Sequence, residues 1–291
     1  AAQAGKDIRK SFNHSTSALN YLAERYATTF PDEAEWPTVM LPGFLKDLPY
    51  LRDTTAFESL VFMPLVGWED VARTEQFLMN AWAADPLLPA GAGANGIYGL
   101  NDLSDKGPYK DSTKVEWPAQ EQVVVPIAQL LFDQYLEPSY LGWDVHSSAS
   151  SGPVVEQIMH CTAAHNYSFA RENCGRSSQQ MATANKQPIV ISNVGMPIML
   201  DQNSSKMVGI MTGHTDWGKL FNGLFPDHVS GVDIVLHKMG DVNTLRLEDG
   251  ETIFLGVGDV HGDRWSDFKY TVADVVISGS DTFTLEFYPQ Q

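Results

Sequence analysis

EQVVVPIAQLLF (121–132), DQYLEPSYLGWDVHSS (133–148) and PVVEQIMHCTAAHNY (153–167) follow one another as an apolar run, a polar aromatic loop and a helix-patterned segment. The first is short, rich in Val and Leu and interrupted by Pro126 and Gln129, which reads as a buried strand and not as a membrane span. The third is opened by Ser151-Gly152-Pro153, with proline at an early helical position where its missing N–H costs nothing. A strand that feeds a loop carrying Trp143 and Asp144, which feeds a helix, is an arrangement that catches ligands. Asp144 has two local readings: an Asx side chain that fixes a turn by bonding the backbone two residues on, or an acceptor at the mouth of a sheet-lined pocket beside the stacking surface of Trp143.

Upstream, FESLVFMPLV (57–66) reads as another buried strand. WEDVARTEQFLMNAWA (68–83) reads as a helix, with Val71, Phe77, Leu78 and Trp82 at helical spacing and Glu69 and Asp70 in the first turn, where the dipole favours acids. Residues 6–30 carry Ile8, Phe12, Leu19, Leu22 and Tyr26 near the helical period, so one long amphipathic helix opens the chain. It either covers a core or pairs with a copy of itself. From Asp85 to Trp117 the composition turns to Gly, Pro, Asn, Asp and Ser, which predicts a surface insertion, poorly ordered or acting as a lid.

Downstream, PIVISNV (188–194), GMPIMLD (195–201) and MVGIMTG (207–213) read as three short antiparallel strands. DWGKLFNGLF (216–225) is a helical connector. GVDIVLHKM (231–239), TLRLEDGETIFLGV (244–257) with a hairpin signal at Asp249-Gly250, FKYTVADVVISG (268–279) and TFTLEFYP (282–289) predict a second, smaller antiparallel sheet. The fold class expected is α+β.

The 291 residues carry 36 acidic and 19 basic side chains, a formal net charge of −17. That charge repels nucleic acid and anionic lipid, and no Lys/Arg cluster offsets it locally, so nucleic acid is excluded as a partner. Cys161 and Cys174 are the only cysteines; their spacing is no C-x-x-C and no second pair completes a zinc tetrad, so a disulfide is expected. Sequons at Asn13, Asn166 and Asn203 agree with a secretory, extracellular address. No apolar run is long enough to span a membrane, and the chain, beginning at AAQAGK and stopping at TLEFYPQQ, reads as a piece of something longer.

Gly258-Asp259-Val260-His261-Gly262 resembles a metallophosphoesterase string, but no His follows His261, and a polar loop is the expectation. His160 and His165 are five apart and fall on different helix faces. There is no H-E-x-x-H, G-x-S-x-G, Walker loop or G-x-G-x-x-G, so neither a metal nor a cofactor is expected. Carboxylates beside aromatics, Glu116-Trp117 and Trp143-Asp144, keep open the competing class of a secreted acidic hydrolase such as a glycosidase. A third class is a non-enzymatic adhesion or dimerisation module.

The order of these pieces resembles the CHASE family of extracellular receptor sensors, related to double PAS-like (Cache) sensors and including plant cytokinin receptors. The residues that carry it are FESLVFMPLV, Arg73-Thr74-Glu75-Gln76-Phe77, Val125-Pro126-Ile127, Gly142-Trp143-Asp144, PIVISNV, VGIMTGHTDWGKLFNGLF (208–225) and VDIVLH, with Gly258-Asp259 before the last strands. The resemblance implies a stalk helix and connector (1–56), a membrane-distal PAS-like unit (57–213) that holds a small molecule, and a membrane-proximal PAS-like unit (214–291). It implies a ligand contact at Asp144 and a pocket lined by Ile191, Ser192 and Asn193, with Trp143, Val125, Ile127 and Met211 joining them. It implies a sensor without catalysis of its own, a homodimer through the N-terminal helix, membrane attachment through flanking segments only, and an effector of the histidine kinase or nucleotide cyclase type outside this sequence. The chain departs from the plant sequences in its 85–117 insertion and in Asn193, which stands where they have Pro.

Overall fold

The computed structural model describes residues 2–102, 105–106, 115–117, 121–131, 138–148, 151–184, 187–200, 206–226, 228–238, 240–261, 267–278 and 281–289. The chain is α+β, with a long helix followed by two antiparallel five-stranded sheets. The first sheet contains β1 (Ser59–Pro64), β2 (Gln129–Leu131), β3 (Arg176–Ala184), β4 (Gln187–Leu200) and β5 (Lys206–Asp216), in the order β2-β1-β5-β4-β3. The second contains β6 (Val232–Lys238), β7 (Asp241–Glu248), β8 (Glu251–Val257), β9 (Tyr270–Ser278) and β10 (Asp281–Pro289), in the order β8-β7-β6-β10-β9. The β7–β8 hairpin turns at Asp249 and Gly250, whose φ values of 51° and 80° are those the Asp-Gly signal requires.

Helix α1 (Ala2–Thr29) lies across both sheets, against β4, β5 and β9. Its periodic residues Ile8, Phe12, Leu19, Leu22 and Tyr26 are all buried in this chain's own core, so that stripe is not available to a second copy. The helix comes so close to β9 that a Cβ on Gly5 would meet Val272 Cγ2 at 2.7 Å. At its far end Tyr26 stacks on Phe62 with ring centroids 3.9 Å apart, and its hydroxyl donates to Gln129 Oε1. The same oxygen accepts from Leu41 N at 2.8 Å, tying the proline-rich connector and α2 (Phe44–Thr54) to the sheet edge; α3 (Val71–Ala84) follows β1.

Several expectations change. Residues 44–54 of the expected connector form α2, and the second sheet equals the first in strand number. PIVISNV and GMPIMLD are not two strands but one, β4, because β5 continues alongside without a break in pairing at Thr212↔Gly195, Met211↔Met196 and Ile210↔Pro197. Gly195 marks a close approach and not a turn: a Cβ there would meet Ile158 Cδ1 of the overlying helix at 2.8 Å. Strand β3 has no counterpart in the sequence reading, since RSSQQMATA lacks apolar alternation. It is an edge strand, paired with β4 from Arg176↔Gly195 to Ala184↔Gln187.

Candidate ligand-binding site

The loop carrying Gly142-Trp143-Asp144 is held by backbone bonds on two sides. Gly142 N donates to Ile127 O (2.9 Å), Ile127 N to Trp143 O (2.9 Å) and Val145 N to Val125 O (3.0 Å). From the other side Tyr98 N donates to Gly142 O (3.0 Å) and Asp144 N to Tyr98 O (2.8 Å). Gly142 has φ 85°, and a Cβ on it would collide with the Gly96 carbonyl, so only glycine lets the two segments meet. Residues 96–98 of the expected insertion are therefore a buried clamp, with Ile97 and Tyr98 in the interior and the Tyr98 hydroxyl donating to Ser139 O at 2.7 Å. Residues 103–104 and 107–114 of that insertion lie outside the described residues.

Asp144 is fully buried and turned into its own loop. Its Oδ1 accepts from Val125 N (2.9 Å) and His146 N (3.2 Å), an Asx cap on the 3-10 turn Val145–Ser147. Burial pushes its pKa up to about 6, against the lowering effect of those two N–H groups.

Beside this loop a cavity of about 250 Å³ opens between one face of the first sheet and a roof made by the loop and α4 (Gly152–Ala164). Val61, Met63, Ile210 and Thr212 form its floor, and Tyr140, Trp143, Val154, Val155 and Ile158 its roof. The Tyr140 and Trp143 rings lie 5.5 Å apart. Ser178 and Gln180 of β3 and Asn193 of β4 form one flank, with His214 beside them. Among the described lining residues there is no Asp, Glu, Lys or Arg. His214 is hydrogen-bonded through Nδ1 to Ser59 Oγ at 2.6 Å, and enclosure pushes its pKa down to about 4, so the ring is neutral.

Of the residues expected to hold a ligand, Trp143, Ile127, Ile191 and Asn193 line this cavity, and Asp144, Val125, Ser192 and Met211 do not. The strand period separates them. Ser192 lies on the opposite face, where its hydroxyl accepts from Trp217 Nε1 at 2.7 Å, and Met211 pairs with Phe62 on the face that α1 covers. Val125 is held behind the loop by Asp144 itself. The residues missed were Ser178 and Gln180, on the unrecognised β3, and Thr212 and His214, one step out of phase with Met211.

Three lining residues carry a buried polar atom with no partner: Trp143 Nε1, Ser178 Oγ and Asn193 Oδ1. The reverse faces of the same strands run to the second sheet. Ser177 N donates to Asp281 Oδ2 at 2.7 Å, and the buried Lys238 ammonium donates to Asp281 Oδ2 (3.2 Å) and to the Ser177 carbonyl and hydroxyl. Burial draws the Lys238 pKa below its ordinary value and the Asp281 carboxylate opposes that. Trp217 of α6 (Trp217–Leu224) packs 5.2 Å from Phe12 and 5.2 Å from Phe283, joining α1 and both sheets.

Cys161 and Cys174 form a disulfide with Cα atoms 5.4 Å apart, tying α4 to the end of α5 (Tyr167–Asn173). His165 stands beside it, donating from Nδ1 to Cys161 O at 2.8 Å. The three side chains gather within 4.8 Å, but sulfurs bonded to each other are not thiolate ligands. Asn13 is exposed on α1, Asn166 caps α5 by accepting from Phe169 N at 3.1 Å, and Asn203 lies outside the described residues. His261 stacks on Tyr288 at 3.6 Å and bonds Asp259 in the loop after β8, and Gly262 lies outside the described residues.

No family model and no curated protein matches the chain. Among solved structures it is similar to one described as a methyl-accepting chemotaxis protein X, at 8% identity over 99% of this chain and 93% of that one, with a TM-score of 0.44. It is also similar to the periplasmic sensory domain of the Campylobacter jejuni chemoreceptor Tlp1, at 11% identity over 100% of this chain and 92% of that one, with a TM-score of 0.43. Among the described residues no helix is long and apolar enough to cross a membrane.

Proposed function

We propose that this chain is the extracellular small-molecule-sensing ectodomain of a transmembrane receptor, with its ligand held by residues 57–213 and its output passed through residues 214–291. The observation that carries the reading is the roofed cavity on the first sheet, whose lining strands are bonded from behind to the second sheet. A ligand that moves Ser178 or Asn193 moves their chain neighbours Ser177 and Ser192. These are the residues fastened to Asp281, Lys238 and Trp217. Differential affinity for two arrangements of β3 and β4 is then enough to shift the second sheet.

Residues at both ends of the described chain support this route. Gln3, Ala4 and Asp7 of α1 and Phe287 and Pro289 of β10 line one groove, so a shift between the sheets changes the spacing of two neighbouring ends. Any pairing of two copies through α1 uses the face opposite its buried stripe, where Tyr21 is exposed. In this reading Asp144 positions the loop that carries Trp143, and Asn13 and Asn166 are glycan acceptors. The effector, a histidine kinase or nucleotide cyclase, lies beyond these residues. The hydrolase reading needs two carboxylates facing one cleft, and the described cavity lining offers none.

The test is a thermal-shift screen of the purified chain against adenine derivatives, amino acids, carboxylates and other small metabolites. A ligand at a hundred times its Kd stabilises by about 2.7 kcal/mol. A hit that disappears when Val61→Phe or Ile210→Phe fills the cavity supports the reading. A panel without hits overturns it and points to a protein or peptide partner.

A further inference from the structure

We infer that the cavity takes an uncharged, flat ligand bearing an N–H or O–H donor and a carbonyl-type acceptor, such as an aromatic amide, held between the Trp143 wall and the Ser178–Asn193 pair. This deepens the sensing role proposed above and rests on it. The chain as a whole is strongly acidic, yet none of the charged residues is among the described lining of this cavity. A carboxylate or ammonium entering it would exchange water for apolar walls without an ion partner, which costs more than about a hundredfold in affinity. His214 does not supply a charge, because enclosure keeps it neutral.

Three of the polar residues that line the cavity form a row. His214, Asn193 and Ser178 are successive register partners across β5, β4 and β3, and Ser59 of β1 continues the row beyond the cavity, so their side chains share a face. Within that row Ser59 and His214 satisfy each other, whereas Asn193 Oδ1 and Ser178 Oγ do not find partners. Across the cavity Trp143 Nε1 is likewise buried and unbonded. Ten buried side-chain atoms of the described residues lack a partner, and these three are the ones that belong to residues lining this cavity. Here one acceptor, one hydroxyl and one donor are gathered on the walls of one cavity, as an amide's N–H and C=O require. The remaining walls, Val61, Ile210, Val155 and Ile158 with the Tyr140 ring, suit an apolar planar body. At about 250 Å³ the space lies just below the usual 300–1,000 Å³ of small-molecule sites, which limits the ligand to about the size of a substituted bicycle.

The experiment uses charge-matched triads on the purified chain: indole-3-acetamide, indole-3-acetate and tryptamine, and benzamide, benzoate and benzylamine, measured by calorimetry and thermal shift at pH 7. The amides are expected to bind at least tenfold more tightly than the acid or amine of the same skeleton. Asn193→Asp, nearly isosteric, is expected to reverse the preference by giving the amine an ion partner. Ser178→Ala, which removes one hydroxyl, is expected to weaken amide binding about fivefold with the melting temperature of the free chain nearly unchanged. Amides that bind no better than their acids and amines overturn the inference. So does a charged metabolite that binds this cavity in the screen described above, and that result leaves the sensing role standing. A screen without any ligand overturns the sensing role itself.

Discussion

The two large sheets share an antiparallel plan, but the first is covered on both faces, whereas the second leaves part of its outer face open beside the buried Asp233, Val235 and Thr244. β1 is buried at every position and β4 along most of its length, whereas β10 alternates between buried and half-buried residues and β8 stays largely open. On the open part of the second sheet Ile253 stands in solvent, and polar side chains find each other, as Lys269 Nζ does with Glu286 Oε1 at 2.8 Å and Tyr288 with Glu286 Oε2 at 2.7 Å. On the first sheet's roofed face Asn193 Oδ1 and Ser178 Oγ have no partner. A polar residue in a strand therefore has two meanings: water or an ion pair satisfies it on an open face, and a ligand or trapped water must do so beneath a roof.

The sharpest way to break that contrast is at the join between the sheets. Lys238→Met leaves the Asp281 carboxylate and the Ser177 carbonyl buried without their cation, and is expected to cost about 3–5 kcal/mol in urea unfolding. The double variant Lys238→Met/Asp281→Leu should recover more than half of it. Lys269→Ala on the open face should cost less than about 1 kcal/mol.

Next in size is Asp144→Ala, which strips the acceptor from two buried N–H groups and should cost about 2–4 kcal/mol, well above the effect of an exposed loop position. Asp144→Asn keeps an oxygen for both. It also tests a pH term whose sign is set by burial. The folded pKa of about 6 lies above the ordinary carboxylate value, so the folded chain holds a proton that the unfolded chain releases. That contribution is fully present below about pH 4 and is lost as pH rises through about 6, a change of up to about 3 kcal/mol. Denaturation at pH 4, 5, 6 and 7 should show this part of the slope in the wild type and not in Asp144→Asn.

Smaller still, Trp217→Phe keeps an aromatic ring between Phe12 and Phe283 but removes the bond to Ser192, and should cost about 1 kcal/mol on unfolding. The smallest effect belongs to the open face. Ile253→Thr should change stability by no more than about 0.5 kcal/mol. A large loss there would show that the second sheet is covered too, and would remove the contrast.

Much of the architecture was legible because local patterns carry it. The helical stripe from Ile8 to Tyr26, the Asp249-Gly250 turn and the proline-opened helix after Ser151 each depend on neighbours in sequence. Strand β3 was not legible: its serines and glutamines face a cavity and the buried Lys238–Asp281 pair in place of an apolar core, so the expected alternation is missing. The site was half legible, since Trp143, Ile127, Ile191 and Asn193 line the cavity while Met211 stands one residue from Ile210 and Thr212, which do.

By itself the sequence determined most of the segments that become helices and strands, that the cysteines pair, and that the loop at Gly142-Trp143-Asp144 is a junction, because each of these follows from short-range periodicity, turn chemistry or composition. Only the tertiary structure decided which face of β4 and β5 looks into the cavity, and which of the two readings of Asp144 holds. Both faces of those strands are buried, so their side-chain pattern does not distinguish the roof from α1. The Asp144 carboxylate turns inward because Val125 N, nineteen residues away in the chain, is brought to 2.9 Å from it. Contacts of that kind are relations between distant segments, and they exist only once the chain has packed.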